Sequence, residues 1–419
     1  MVKDVACKVK EGQRQEKDSF SHETLGPALA LLGSPRFFCK LLAALAREGL
    51  VGEQRNALVV FVVVVSRLLA TPLNLFVKGQ SSSGKNHTVK KVLRLIPADC
   101  ICEVTDFSDK AWSYLGTGLK HKVVFFQEES VAYGGKRHPA RLLISENRVE
   151  RLVVVPGGTT VKKVTEGPVC CISTTTHNQL QVDDETRHLS IWADESEEQT
   201  ARILRAQFVD TTPLTQSEIQ VWHAVQKLLA DRSTIPIELP PWFELVGEKA
   251  WKGDVRIRRY FPAFVQACKT ISLIRSFRLE EKKPKSIRVR FSDYAIAMLI
   301  FEDAFSKSLG SVDERSVELR DVINRISSRK SGRPVSAKDV AAEMSVPLHE
   351  SYENIRRAAE HKLIQRANPP QKGNRKLYLP ALGRYQFLPK PELVFKMAGI
   401  SHRVNFVHPI TGESVIYEA

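Results

Sequence analysis

At 419 residues the chain is long enough for two or three separate cores, and 43% hydrophobic with 26% charged residues is a globular balance that excludes a disordered or fibrous chain. A formal net charge of +15 favours an anionic partner, nucleic acid before others, with general surface basicity as the plainer reading. The most apolar run, "ALVVFVVVV" at 57–65, falls well short of the ~20 residues that span a bilayer, which argues against a membrane role.

The opening "MVKDVACKVKEGQRQEKDSF" is too charged for a signal peptide. The seven cysteines, Cys7, Cys39, Cys100, Cys102, Cys170, Cys171 and Cys268, form no CxxC pairs, so neither a zinc site nor a disulfide framework is expected. They read as reduced thiols of a cytoplasmic protein.

In chain order, residues 1–55 form a helical lead-in. Within it "SPRFFCKLLAALAREGLVG" has Ser34 as N-cap, Pro35 at the first helical position and a Gly stop, which predicts a helix. From 56 to 205 short apolar runs ("LNLFVKG", "HKVVFFQEES", "RVERLVVVPGG", "VCCISTTT", "HLSIWAD") alternate with helical patterns, predicting an α/β sheet packed by helices. The valine run at 57–65 fits a strand or a helix, and periodicity does not decide between them. Residues 206–310 read as helical. They include eleven Lys and Arg between Arg256 and Arg290 against Glu280 and Glu281 alone, which suits backbone contact or a solvated helix face equally. Residues 311–385 form a small helical unit ending in a hairpin, and 386–419 give no clear pattern.

One motif carries chemistry. In "NLFVKGQSSSGKNHTVKKVLRLIP", Gly79 to Lys85 satisfies the G-x4-G-K phosphate-loop pattern between a strand and a helix. The glycines let successive N–H groups turn inward, Lys85 brings a cation to the outer phosphates, and the following helix offers its positive end. Gly79, Ser81, Ser82, Ser83, Gly84, Lys85, Asn86 and His87 are therefore the candidate nucleotide contacts, with ATP and Mg²⁺ as ligands. A glycine turn of purely structural use is the alternative. The pattern wants Ser or Thr after the lysine, whose hydroxyl ligates Mg²⁺. Asn86 stands there instead, so metal binding is weakened, water-mediated or carried by Asn86 itself.

Downstream, "HKVVFFQEES" is an apolar strand ending in acids, where a motif that holds the metal and polarises water is expected. Gln127 takes the place of the metal-directed acid. Glu128 is the candidate general base and metal ligand, with Glu129 as the choice if the register slips by one. "VCCISTTTHN" ends a third strand with Thr175, Thr176 and Asn178 as candidates to meet the γ-phosphate or the attacking water. "DDETRHLSI" offers Arg187 to stabilise charge, in cis or on a neighbouring subunit.

Together with "LLISENRVE", "TTTHNQLQVDDETRHLSIWADESEEQT" and "RIRRYFPAFVQACKTISLI", these motifs resemble the ATPase modules of primase-associated proteins of bacterial mobile elements and prophages. The likeness runs from about residue 35 to 310 and is most specific over 70–205. Such modules are similar to AAA+ and superfamily 3 helicase ATPases, so the resemblance implies a ring-forming motor. It assigns Gly79, Gly84 and Lys85 to the phosphates, Glu128 to the acidic motif, Thr175 to the sensor position and Arg187 to the later arginine. Asn86 and Gln127 depart from the pattern, and with no Cys/His zinc cluster or primase acid motif, primer synthesis is not assigned.

Between the acidic motif and the third strand, "NRVERLVVVPGGTTVKKVTEGP" reads as a hairpin carrying Arg148, Arg151, Lys162 and Lys163. Related hexameric helicases aim a basic hairpin at nucleic acid there, whereas by itself such a hairpin is more often a guarded edge. The unit at 311–385 reads as a winged helix-turn-helix. Its third helix would offer Ser351, Tyr352, Asn354, Arg356 and Arg357 to the major groove, and its wing would offer Lys372, Arg375 and Lys376 to the backbone. Docking on a protein is the other use of such a unit.

The whole is expected to be an α/β chain: a P-loop NTPase core of AAA+/helicase type over 56–205, a helical basic region at 206–310, a winged helix-turn-helix at 311–385 and a tail at 386–419. The leading reading is an ATP-hydrolysing, helicase-like DNA motor in replication of a mobile element or prophage. It would act on single- or double-stranded DNA as a homo-oligomer, a ring among the forms, beside a primase or another replication protein. A slow DNA-binding ATP switch and a non-enzymatic scaffold are the alternatives.

Overall fold

A computed structural model describes residues 21–104, 118–127, 138–154, 158–177, 180–250, 252, 255–278, 284–309, 314–360, 364–367, 376–380 and 388–418. The chain divides into two compact units, Met1–Phe305 with Pro389–Ala419, and Ser306–Leu388.

The first unit is organised by a parallel sheet. Its strands are β1 (Leu75–Lys78), β2 (Ile101–Val104), β3 (Lys122–Phe126), β6 (Val169–Thr175) and β7 (Leu189–Trp192), while β4 (Arg148–Val154) and β5 (Thr160–Glu166) form a separate ribbon between β3 and β6 in the chain. The spatial order is β2-β3-β6-β1-β7, every neighbouring pair parallel. A parallel sheet needs crossovers and is covered on its faces, so its strands read as unbroken apolar runs. β1 and β6 are indeed buried at every position. The register sets Lys78 beside Thr175 on one side and Trp192 on the other, so β1, β6 and β7 end level with one another.

The valine run, undecided from periodicity, is helical: it lies within Gln54–Ser66, where Ala57 to Ser66 are all buried. Val and Ile lose χ1 freedom in a helix. Here that cost is outweighed because the helix is wrapped by protein all round, packing on β6, the helix Lys85–Leu93 and the helix Ile257–Arg275. The predicted helix is present as Phe37–Arg47, starting two residues later than expected with Arg36 rather than Ser34 at the N-cap, and with Phe37, Phe38, Leu41, Ala44 and Leu45 buried on one stripe.

Beyond the sheet come helices Glu197–Ala206, Gln216–Arg232, Phe243–Lys249, Ile257–Arg275 and Phe291–Leu309, with a short parallel pair, β8 (Ile237–Glu238) and β9 (Ile287–Arg288). A bidentate Arg47–Glu218 pair (2.5 and 3.0 Å) ties the N-terminal helices to the first turn of Gln216–Arg232.

The second unit runs helix Glu314–Arg329, β10 (Val335–Ser336), helices Ala337–Met344 and Leu348–Glu360, β11 (Ile364–Arg366) and β12 (Leu377–Pro380). Its antiparallel sheet has the order β10-β12-β11. Leu319, Val322, Ile323 and Ile326 recur at helical spacing and meet Val340, Ile355, Ala358 and Tyr378 in its core. Ser336 and Asp339 close a reciprocal cap at the start of Ala337–Met344.

The terminal segment, which gave no clear pattern, belongs to the first unit. Helix Pro391–Met397 and the hairpin of β13 (Val404–Val407) and β14 (Ser414–Tyr417) bring Phe395 and Tyr417 each 5.1 Å from the Phe291 ring. Tyr294 Oη donates to Pro389 O at 2.5 Å. Among the described residues no helix is long and apolar enough to cross a membrane.

Candidate nucleotide-binding site

The loop Gly79–Gly84 joins the C-terminal end of β1 to the helix Lys85–Leu93. Gly84 takes φ +86 at the N-cap, a left-handed value that favours glycine. Gly79 takes φ +150, also a left-handed value, and a Cβ there would lie 2.7 Å from Ser83 Oγ and 2.8 Å from Glu195 Oε1. Ser82 holds φ +68, strain that a side-chain-bearing residue seldom accepts and that clusters at ligand clamps.

Lys85 is buried and folds back over its own loop, donating from Nζ to Gly79 O at 2.7 Å and to Gln80 O. Ser83 Oγ also donates to Gln80 O (2.8 Å), and Gln80 N–H donates to the Glu195 carboxylate. Ser81, Ser82 and Gly84 are exposed on the loop, where their N–H groups can meet a ligand. His87 turns away, with Nε2 3.2 Å from Gly49 O, a carbonyl that can only accept.

Asn86 is tied to the sheet, because Thr174 Oγ1 donates to Asn86 Oδ1 at 2.6 Å. Thr175, the sensor candidate, is fully buried and accepts from His177 N at 3.1 Å, while Thr176 is exposed. The adjacent threonine, not singled out by the sequence, is thus the one in contact with the loop helix. Gln127 donates from its amide to Glu103. Glu128, Glu129 and Asn178 lie outside the described residues.

The described donors do not fit a directly held Mg²⁺. The Asn86 oxygen is engaged by a hydroxyl, the Gln127 amide by Glu103, and among the described residues no group of three or more His, Cys, Asp or Glu could hold a metal.

Two further residues were missed. Lys78 ends β1 with its side chain 3% exposed, its Nζ 2.6 Å from Glu185 Oε1 and 5.1 Å above the Trp192 ring. A lysine closing an otherwise apolar strand was the available signal, since a buried ammonium requires a partner. Glu185 belongs to the turn Val182–Glu185, which is also held by Arg141 on both oxygens of Asp184 (2.6 and 2.7 Å).

Arg187 follows on that turn. Its Nε donates to Ser145 Oγ at 3.0 Å and its Nη1 to Asp183 O. Burial, then the Arg259 guanidinium, pull it below the ordinary arginine range.

On the β4–β5 ribbon, Arg148 and Lys162 both pair with Glu150, at 2.7 and 2.5 Å, and Lys162 holds that carboxyl below its usual range. Arg151 and Lys163 stand directly opposite each other. In the second unit Arg356 is exposed and Arg357 half-buried, with Arg357 3.8 Å from Glu353. Lys376 is exposed, and Lys372 and Arg375 lie outside the described residues. Ser351 and Asn354 are not available to a groove: both are buried, and Ser351 donates to Ala337 O at 2.9 Å. Tyr352 is exposed.

A strand–glycine loop–helix following an interior strand of a parallel sheet, with a buried lysine folded over the loop, defines a P-loop domain, the class that binds nucleotides, generally together with Mg²⁺. Residues 32–212 match the family model described as the MTBMA_p00010 P-loop domain. No curated protein matches the chain.

Proposed function

We propose that the chain is an ATP-hydrolysing DNA motor of the AAA+/superfamily 3 type, acting as a homo-oligomer in replication of a mobile element or prophage. One observation carries the reading: β6 is inserted between the P-loop strand β1 and β3, the strand that leads into Glu128. That order sets the ends of three strands around one loop, with Thr175 level with Lys78. In this reading the loop amides and Lys85 hold the triphosphate, Glu128 (or Glu129) takes the proton of the attacking water, and Thr175 and Arg187 attend the γ-phosphate.

Two features favour DNA as partner. The ribbon between β3 and β6 sets Arg151 opposite Lys163, two cations at one register position that suit a phosphate backbone. The second unit has the helix–strand–helix–helix–strand–strand order of a winged helix-turn-helix, with Arg356, Arg357 and Lys376 for the backbone. A slow ATP switch is the second reading, favoured by the Thr174–Asn86 bond where a metal-binding hydroxyl is usual.

The deciding experiment is ATP turnover with and without single-stranded DNA, with oligomer size measured in the same samples. DNA-stimulated turnover that collapses in Lys85→Ala and Glu128→Gln supports the motor. Nucleotide-dependent DNA binding with negligible turnover supports the switch, and the absence of any nucleotide binding leaves only a docking scaffold.

A further inference from the structure

We infer that Asn86 meets the nucleotide as a hydrogen-bond donor, so that the chain grips ATP almost equally well with and without Mg²⁺; this rests on the nucleotide-binding reading of the loop.

A carboxamide has one accepting and one donating end, and whatever fixes one end aims the other. The Thr174 hydroxyl fixes the accepting end, at 2.6 Å, against the buried strand β6. The NH₂ end therefore faces away from β6, and among the described residues Asn86 Nδ2 has no hydrogen-bond partner. Asn86 is the second residue of the helix that opens at the phosphate loop, where free N–H groups gather around an anion. A side-chain N–H added to that set donates to a phosphate oxygen directly. A hydroxyl in the same place would instead lean on a cation to bridge it to the phosphates.

Thr174 is thus a positioning residue. It touches no ligand itself but decides which end of Asn86 does. With Thr174 replaced by Val, of nearly the same shape, the carboxamide is free to turn its oxygen outward and accept a metal.

The test is calorimetric titration of the full chain with ATP, once in excess Mg²⁺ and once in EDTA. Binding curves are taken for the wild type, Asn86→Thr and Thr174→Val, with thermal melting to confirm that each variant is folded. The wild-type Kd is expected to change by less than about threefold between the buffers. Asn86→Thr, which restores a hydroxyl and removes the donor, loses about tenfold or more in EDTA, the range of one hydrogen bond to a charged group. Thr174→Val shows a loss in EDTA larger than that of the wild type. Wild-type binding that survives in Mg²⁺ but falls tenfold in EDTA overturns the inference and leaves the nucleotide reading intact. Unchanged buffer dependence in a folded Asn86→Thr overturns it as well. No binding in either buffer removes the nucleotide reading and the inference together.

Discussion

The pair between Lys78 and Glu185 predicts a marked asymmetry between two substitutions. Lys78 Nζ lies 2.6 Å from Glu185 Oε1, with the lysine side chain 3% exposed and the glutamate 25%. Breaking a buried pair by removing one partner typically costs ~3–5 kcal/mol, because the survivor is left charged and dry, whereas an apolar replacement can be neutral. Glu185→Gln takes the negative charge from beside the ammonium while keeping an acceptor for Leu180 N (3.1 Å). The partial exposure of Glu185 puts its cost at the lower end, about 3 kcal/mol. Lys78→Met keeps the volume in the sheet and leaves a carboxylate that can turn to water, so it costs about 1 kcal/mol or less. The double variant should match Lys78→Met, giving a coupling of about 3 kcal/mol. Urea unfolding followed by tryptophan fluorescence measures this in the first unit alone, since Trp112, Trp192, Trp222, Trp242 and Trp251 all precede residue 306. Equal losses for the two single variants, or a strictly additive double variant, would refute the argument.

Gly79→Ala should weaken the proposed ATP binding about tenfold or more with little change in far-UV circular dichroism, because a Cβ strains the backbone at φ +150 and pushes on the Ser83 and Glu195 side chains beside the loop; a Kd within a few-fold of wild type would count against the loop geometry. Glu218 is drawn down to about 2 from 4.5, chiefly by its hydrogen bond from Arg47 and then by Thr215. A depressed carboxylate contributes stability above its unfolded value and loses it as pH falls toward the folded one, so Glu218→Gln should lose less stability than wild type on acidification below pH 4.5; parallel stability–pH curves would contradict this. Asn354 is 2% exposed with Nδ2 unsatisfied, so Asn354→Leu should leave the second unit as stable or up to about 1 kcal/mol more so; a large loss by hydrogen-exchange protection of residues 348–358 would show that the amide is needed there.

What was legible in the sequence was local. Gly79 to Lys85 is contiguous, and each residue type has its own backbone or charge reason, so the motif needs no tertiary information. The β4–β5 ribbon was equally plain, because alternation and a Pro-Gly-Gly turn lie within some twenty residues. The valine run failed for a physical reason. Periodicity reports a boundary between core and solvent, and a helix buried from Ala57 to Ser66 has no such boundary. The same uniform burial hid Thr174 beside Thr175, since no exposed face along β6 tells which of two adjacent threonines points at the loop helix.

Asn354 was a different failure. Ser351, Asn354, Ile355 and Ala358 recur at core spacing on one helix, and all four are buried. Core spacing, not side-chain polarity, decides which face of this helix is buried. The terminal segment could not be read because its aromatic residues find their partner, Phe291, about a hundred positions away.

That return of the chain has a practical consequence. Because residues 389–418 belong to the same unit as the chain up to Phe305, the 306–388 unit is an insertion in the sequence of the first. A polypeptide cut short before Pro389 would forfeit the Phe395 and Tyr417 rings that cover Phe291, and so damage the nucleotide-bearing body while seeming to trim only its end. Excising the inserted unit calls instead for splicing 305, within the helix Phe291–Leu309, to 389, with Tyr294 left to seat the joint.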